Sequence, residues 1–249
     1  MREKIPIRLK KEPLIEAIWE IRFTGTKPSI GDLLPGIIFK AFPEKYPNLV
    51  RLPSAEIPSQ IVERDPNFRY IPRVRLEGGN QAVQIGEHVF SLSCRRPYSG
   101  WIKFSGDIRS LIKVLEESQL IDHLERFSLK YIDLIDLDQP PKLSCLNLEL
   151  RLEEYDFEIN PVQLRTEIKE DSLIHIIQVI SPAEVIIPGE PNFLRGILVD
   201  IDSIKHLSKE ESWPDINKCI DLVHLASKKM FFKLLKQETI DKLEPVYEE

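Results

Sequence analysis

Charged side chains recur at every second position of several predicted strands. Their types and spacing suggest a site that could bind a metal ion or a phosphate group. In the stretch EAIWEIRFTG, the residues Glu16, Glu20 and Arg22 fall on one side of a strand while apolar residues alternate on the other. Asp200 and Asp202 repeat this spacing in the second half. Carboxylates can hold Mg²⁺, and arginines beside them can bind phosphate groups. One prediction is therefore a metal site made of Glu16, Glu20, Asp200 and Asp202.

The chemistry of such strands depends on whether their charged faces are enclosed or solvated. In a closed barrel with inward charges, the chain would be a metal-dependent phosphohydrolase of the triphosphate-tunnel type, with Mg²⁺ as cofactor. The first-strand signature of those enzymes, E-x-E-x-K, is broken here by Ile18 and Arg22. Burying unmatched charges is costly. The favoured interpretation is a solvated sheet face with charges paired across strands, and with Trp19, Ile21 and Phe23 buried on the opposite face.

A second candidate site combines basic and aromatic side chains. Cations interleaved with aromatic rings can bind phosphates and stack bases. The pattern has no specific spacing, however, and Trp101 would equally anchor the helix that follows it. The net charge of -6 opposes unspecific attraction to nucleic acid. A nucleic-acid-binding module is thus a third interpretation, with a phosphate- or nucleic-acid-binding site formed by Arg69, Arg73, Arg75, Arg95, Arg96, Tyr98 and Trp101.

Composition narrows the class of protein. The usual sequence motifs of ATPases, dehydrogenases, zinc proteases and serine hydrolases are absent from the 249 residues. The three cysteines form no C-x-x-C pair, which argues against a disulfide framework and a cysteine-based zinc site. No apolar run approaches the ~20 residues that cross a bilayer, and the charged N-terminus lacks the apolar core of a signal peptide. We expect a cytoplasmic protein without membrane association.

The elements that must position these residues follow from hydrophobic periodicity. In the first half, this periodicity predicts a strand over 14–23, a helix near 30–41 and an extended connection over 47–67. It then predicts a three-strand meander that ends near Cys94, a helix capped by Ser105 and a strand over 127–137. The second half predicts four strands, within LNLELRLEEYDFEI, VQLRTEIKE, SLIHIIQVI and LRGILVDID, and then a long helix opened by Ser212 and Asp215.

Helices do not alternate with strands in this order, so we predict an α+β fold with antiparallel sheets covered by helices. Both halves end with a helix after a sheet. This suggests an N-terminal α+β half over 1–138 and a C-terminal α+β half over 139–249, unless the two share one core.

Several short motifs together resemble a known group of proteins. PLIEAIWEIRF, YSGWIKF, SLKYIDLIDL, ILVDIDSI and LVHLASKKMFFKLL are similar to segments of an uncharacterised, sporadically distributed prokaryotic protein family of about this length. The chain departs from that family at Lys130 and Asp133, where the family has arginine and asparagine. The resemblance implies no established reaction, cofactor or catalytic residue. Patchy distribution is common among mobile and defence-linked genes, so it implies such a gene context.

The favoured prediction for function is a non-enzymatic binding or assembly protein, because no catalytic motif is present. We expect it to form a homodimer or to bind a protein partner. The long C-terminal helix carries more apolar residues than one stripe requires. Phe231 and Phe232 point about 100° apart on that helix. We therefore expect Phe231 to pack on the sheet and Phe232 to face a dimer interface.

Overall fold

The computed structural model of the protein describes residues 5–26, 29–158, 160–187 and 193–248, without the side chains at 59, 60 and 63. Its strands are β1 (Arg8–Leu9), β2 (Leu14–Gly25), β3 (Asn48–Arg51), β4 (Val74–Gly78), β5 (Gln81–Ile85), β6 (Val89–Arg95), β7 (Ile121–Ile135), β8 (Val162–Glu170), β9 (Leu173–Val185), β10 (Leu194–His206) and β11 (Pro245–Val246). Its helices are α1 (Ile30–Ala41), α2 (Ser59–Arg64), α3 (Trp101–Ser118), α4 (Trp213–Leu234) and α5 (Gln237–Lys242).

Nine of these strands form one large antiparallel sheet, which confirms the predicted α+β class. The hydrogen-bonded order of the strands is β3-β4-β5-β6-β2-β7-β10-β9-β8, and β1 pairs separately with β11. Strands β3 and β8 are therefore the two edges of the sheet. None of the helices within the described ranges is long and apolar enough to cross a membrane.

The chain divides into two compact units that are interleaved in sequence. Unit 1 comprises Met1–Glu16, Lys130–Ser203 and His224–Glu249, and unit 2 comprises Ala17–Leu129 and Ile204–Val223. This division differs from the predicted halves 1–138 and 139–249. The reason is that β2, β7, β10 and α4 each begin in one unit and end in the other.

Unit 2 buries the apolar side of β2 as its alternation predicts. Trp19, Ile21 and Phe23 are completely buried, and the Trp19 ring packs edge-on against Phe90 at 5.8 Å between ring centroids. The meander β4-β5-β6 is confirmed, with Val83 opposite both Leu76 and Leu92. Its first turn contains Gly79 at φ +57°, a conformation that glycine adopts without steric cost.

Two local predictions in unit 2 are wrong. Helix α3 begins at Trp101 rather than at a Ser105 cap: Gly100 occupies the N-cap position, and Ser105 is a buried helical residue that donates to the Ile102 carbonyl. Residues 47–67 are also not extended throughout, because they contain the helix α2 after the strand β3. In both places the apolar pattern does not reveal where a helix begins.

Unit 1 contains the β8–β9 hairpin, in which all nine residues of β8 pair with β9. Alternate residues of β9 and β10, including Ile177, Val179 and Val199, enter an apolar core that Met230 of α4 also joins. The segment LNLELRLEEYDFEI alternates like a strand, but its described residues form only the isolated bridges Leu146–Leu235 and Leu152–Tyr155. Leu146, Leu148, Leu150 and Phe157 contact the core from a loop instead, while Leu152 is exposed.

The start of α4 forms one half of the predicted capping box, in which Asp215 accepts from Ser212, while the Asp215 backbone N–H donates to the Ser212 carbonyl instead of the hydroxyl. The backbone N–H and the hydroxyl of Ser212 each lie 3.1 Å from Oδ2 of Asp215. This contact satisfies a backbone N–H at the helix terminus, where the helix itself offers no partner. Together with its contact to Lys218, it holds the pKa of Asp215 at about 2.

Candidate functional site

The charged side of β2 in unit 2 is occupied by ion pairs. Nε of Arg22 donates to Oε1 of Glu20 at 2.9 Å, and Arg126 approaches the same oxygen at 3.7 Å. Arg126 also donates to the hydroxyl of Ser128. These side chains are half-buried or nearly buried rather than fully solvated. The predicted pairing of charges across strands is therefore present here.

Arg69 and Tyr70 extend this network. The Tyr70 hydroxyl donates to Glu125 at 2.7 Å, and Arg69 donates to the other oxygen of the same carboxylate at 3.1 Å. The guanidinium of Arg22 lies 4.3 Å from the centroid of the Tyr70 ring, within the range of a cation–π contact. Burial, reinforced by the bond to Glu125, raises the pKa of Tyr70. The network joins the 65–73 loop to β2 and β7.

Two further arginines of the predicted phosphate site pair with neighbouring acids. Arg73 lies 3.0 Å from Glu87 and also donates to the carbonyl of Ala55. Arg75 lies 2.9 Å from Glu77 on the same strand. Glu87 in turn accepts from the backbone N–H of Gly31, at the start of α1. These contacts hold loops and a helix end in place, which is a structural role.

The remaining residues of the predicted phosphate site lie around the start of α3. Tyr98 packs edge-on against Phe104 at 5.8 Å, and Trp101 lies 6.5 Å from the same ring. Both rings therefore help to anchor α3 on its buried side. Arg95 and Arg96 are exposed at the end of β6. Nucleic-acid binding by these residues stays a prediction.

The charged side of unit 1 contains a cation–carboxylate contact and a second buried acid. Nζ of Lys130 lies 2.8 Å from Oδ2 of Asp200, which Gln178 also approaches at 3.4 Å. Oδ1 of Asp200 is buried and accepts no hydrogen bond from the described residues. Burial, with contributions from the charges of Glu12 and Asp200, raises the pKa of Asp133 to about 8. Asp133 is thus largely protonated at neutral pH.

The predicted metal site receives no geometric support. In the part of the chain that the structure describes, no group of three or more His, Cys, Asp or Glu side chains is placed to hold a metal ion. Glu20 is paired with Arg22, and Asp200 with Lys130. The residues predicted as ligands, Glu16, Glu20, Asp200 and Asp202, therefore provide no ligand set from which to derive metal chemistry.

Phe231 and Phe232 both contact the core of unit 1, and the dimer interface expected at Phe232 stays a prediction. Their rings contact each other at 5.4 Å, and both pack against the apolar core of unit 1 as partly buried side chains. The exposed apolar residues of α4 are instead Leu222 and Leu225, each about half exposed.

Strand β8 presents an open backbone edge in unit 1. It pairs with β9 on one side, and no other strand among the described residues pairs with its outer side. Except for Val162 and Leu164, which are half-buried, all of its residues are exposed. On one face of the strand, Arg165 lies 3.1 Å from Glu167. An edge of this kind is a template for pairing with another chain.

An apolar groove of about 420 Å³ lies beside this edge. Ile168, Ile177, Met230 and Leu234 form its apolar lining. At its rim, Nζ of Lys233 lies 2.8 Å from Oε1 of Glu170, and this contact lowers the pKa of Glu170. The groove and the outer edge of β8 together are called the β8 surface below.

Sequence reasoning identified β8 as a strand but missed the β8 surface. Its alternating charges at Arg165, Glu167 and Lys169 resemble those of the other strands. The pattern contained no signal that marked β8 as an edge, because the edge position follows from the order of the strands in the sheet. A scan against models of known protein families and a search of curated proteins both find no match for the chain. The family resemblance stays a prediction, and the geometry of the chain is the evidence for its function.

Proposed function

We propose that this protein is a non-enzymatic assembly protein that binds another protein chain through the β8 surface. The observation that carries the proposal is the open nine-residue edge of β8 beside an apolar groove. An added strand would satisfy the outer backbone groups of β8, and its side chains would cover the groove. This is binding without chemical conversion of the bound partner.

The arrangement of the charged strand faces supports the same proposal. Glu20, Arg22, Arg73 and Lys130 each have an oppositely charged neighbour within their own unit. Paired charges of this kind hold the fold together and leave little charge to bind a phosphate. We also propose a cytoplasmic location, which accords with three free thiols of which Cys94 and Cys219 are buried.

Light scattering over a wide range of protein concentration tests the proposal. We expect the average mass to rise from 28.9 kDa toward a multiple of that value as concentration increases. A mass that stays at 28.9 kDa up to millimolar concentration would contradict assembly of this chain with itself. Salt-sensitive retention on a polyanion matrix, with no change in mass, would favour nucleic-acid binding instead.

A further inference from the structure

Strand β8 is complementary in sequence to a second copy of itself. In an antiparallel pair formed by two copies of one strand, the two-fold axis passes through one residue position, which then lies opposite itself. With the axis at Thr166, Arg165 lies opposite Glu167 of the second copy, and this contact occurs twice. Leu164 lies opposite Ile168, also twice. Opposite charges and apolar pairs at facing positions both stabilise a sheet.

Other registers are less favourable. An axis at Arg165 or at Glu167 would place two like charges directly opposite each other, which destabilises the pair. An axis at Ile168 pairs Glu167 with Lys169, but only residues 166–170 of the strand then overlap. The axis at Thr166 uses the whole of β8, from Val162 to Glu170.

The groove favours the same arrangement. Thr166 pairs with Ile177 within the hairpin, so the even-numbered residues of β8 share the face that looks onto the core and the groove. Ile168 lines the groove and is 38% exposed. In the pair centred on Thr166, Leu164 of the second copy lies beside Ile168 and extends this apolar strip. Pairing therefore removes exposed apolar surface as well as open backbone groups.

We propose that two copies of this chain associate through β8, antiparallel and in register about Thr166, so that their sheets become continuous. The proposal rests on the proposed assembly function and names its partner as a second copy of the chain. The alternating charges of β8 oppose pairing with strands that lack the complementary pattern, which gives the edge specificity for itself.

Charge reversal on β8 tests the register. Arg165→Glu alone places like charges opposite each other at both contacts, and so does Glu167→Arg alone. We expect each variant to raise the dimer dissociation constant about tenfold or more, as measured by light scattering or analytical ultracentrifugation at low salt. Mixing the two variants should restore a dimer containing one chain of each, because opposite charges then face each other at both contacts. The double variant R165E/E167R should also dimerise.

A matched control distinguishes the registers. Lys169→Glu makes the same change in charge as Arg165→Glu, but Lys169 lies opposite the neutral Gln163 when the axis is at Thr166. We expect this variant to dimerise nearly as well as the wild type, whereas an axis at Ile168 predicts that it dissociates. A wild-type dimer that is insensitive to both single reversals would overturn pairing through β8 while leaving assembly intact. A wild-type chain that never dimerises would overturn the dimer proposed here, and the proposed function would then require a different protein as the partner of the β8 surface.

Discussion

The carboxylate of Glu87 lies 3.0 Å from the guanidinium of Arg73, and both side chains are nearly buried, at 7% and 14% exposure. In the neighbouring pair, Nε of Arg75 lies 2.9 Å from Glu77 in a geometry that forms no hydrogen bond, and both side chains are about one-third exposed. The two arginines are two positions apart in the chain, so they compare a nearly buried, hydrogen-bonded ion pair with a more exposed one.

Arg73→Met should lower the free energy of unfolding by about 3–5 kcal/mol, because it leaves the Glu87 carboxylate buried without its cation. Arg75→Met should cost no more than about 1 kcal/mol, since water screens the exposed pair. Urea unfolding monitored by circular dichroism measures both. Equal losses in the two variants would contradict the difference in burial.

Stability should depend on pH through Asp133. Its pKa is raised to about 8 in the folded protein and is near 3.9 when unfolded, so the folded state holds a proton that the unfolded state releases between these values. The stability that this proton contributes to the folded state is therefore fully present below about pH 4 and is lost as pH rises toward 8.

Asp133→Asn removes this dependence. The free energy of unfolding of the wild type should fall relative to that of the variant as pH rises from 4 to 8, by up to about 1.4 kcal/mol per pH unit. Above that range the difference between the two proteins should change little. Thermal unfolding of both proteins at a series of pH values measures this difference. Parallel curves for the two proteins would show that Asp133 ionises normally.

Truncation of Trp19 tests the register of β2. Trp19→Ala should cost about 3–5 kcal/mol, because the ring is completely buried between Phe90 and Phe127. Ile102→Ala is the control: it also truncates an apolar side chain, but Ile102 is 90% exposed and the change should stay within about 0.5 kcal/mol. A near-wild-type melting curve for Trp19→Ala would reverse the assignment of the two faces.

Tyr70 makes two kinds of contact that mutations can separate, hydrogen bonds through its hydroxyl and cation–π contacts through its ring. Tyr70→Phe removes both hydrogen bonds of the hydroxyl, the one it donates to Glu125 at 2.7 Å and the one it accepts from Arg69 at 3.2 Å, and keeps the ring beneath Arg22, at an expected cost of about 1.5–3 kcal/mol. Tyr70→Leu removes the ring as well and should cost about 0.5–1 kcal/mol more. Urea unfolding of both variants measures the two steps, and identical values would show that the ring contact contributes nothing measurable.

The sequence alone determined which side of β2 is buried and where several elements lie. The alternation around Trp19 and Ile21 is a local property with a period of two residues, so burial of one face follows directly from it. The contact between Ser212 and Asp215 is local as well, and it is present at the start of α4 as one half of a capping box. Local patterns of this kind do not depend on strand order.

Only the tertiary structure decided which segments pair and which charges meet. LNLELRLEEYDFEI alternates as regularly as β8, yet it joins no sheet, because strand formation requires a neighbouring backbone and alternation alone does not supply one. Tyr70 and Glu125 are 55 positions apart, and their contact follows from long-range packing. The edge position of β8 is likewise a consequence of sheet order, since every strand carries the same backbone groups and only its neighbours determine which of them remain open.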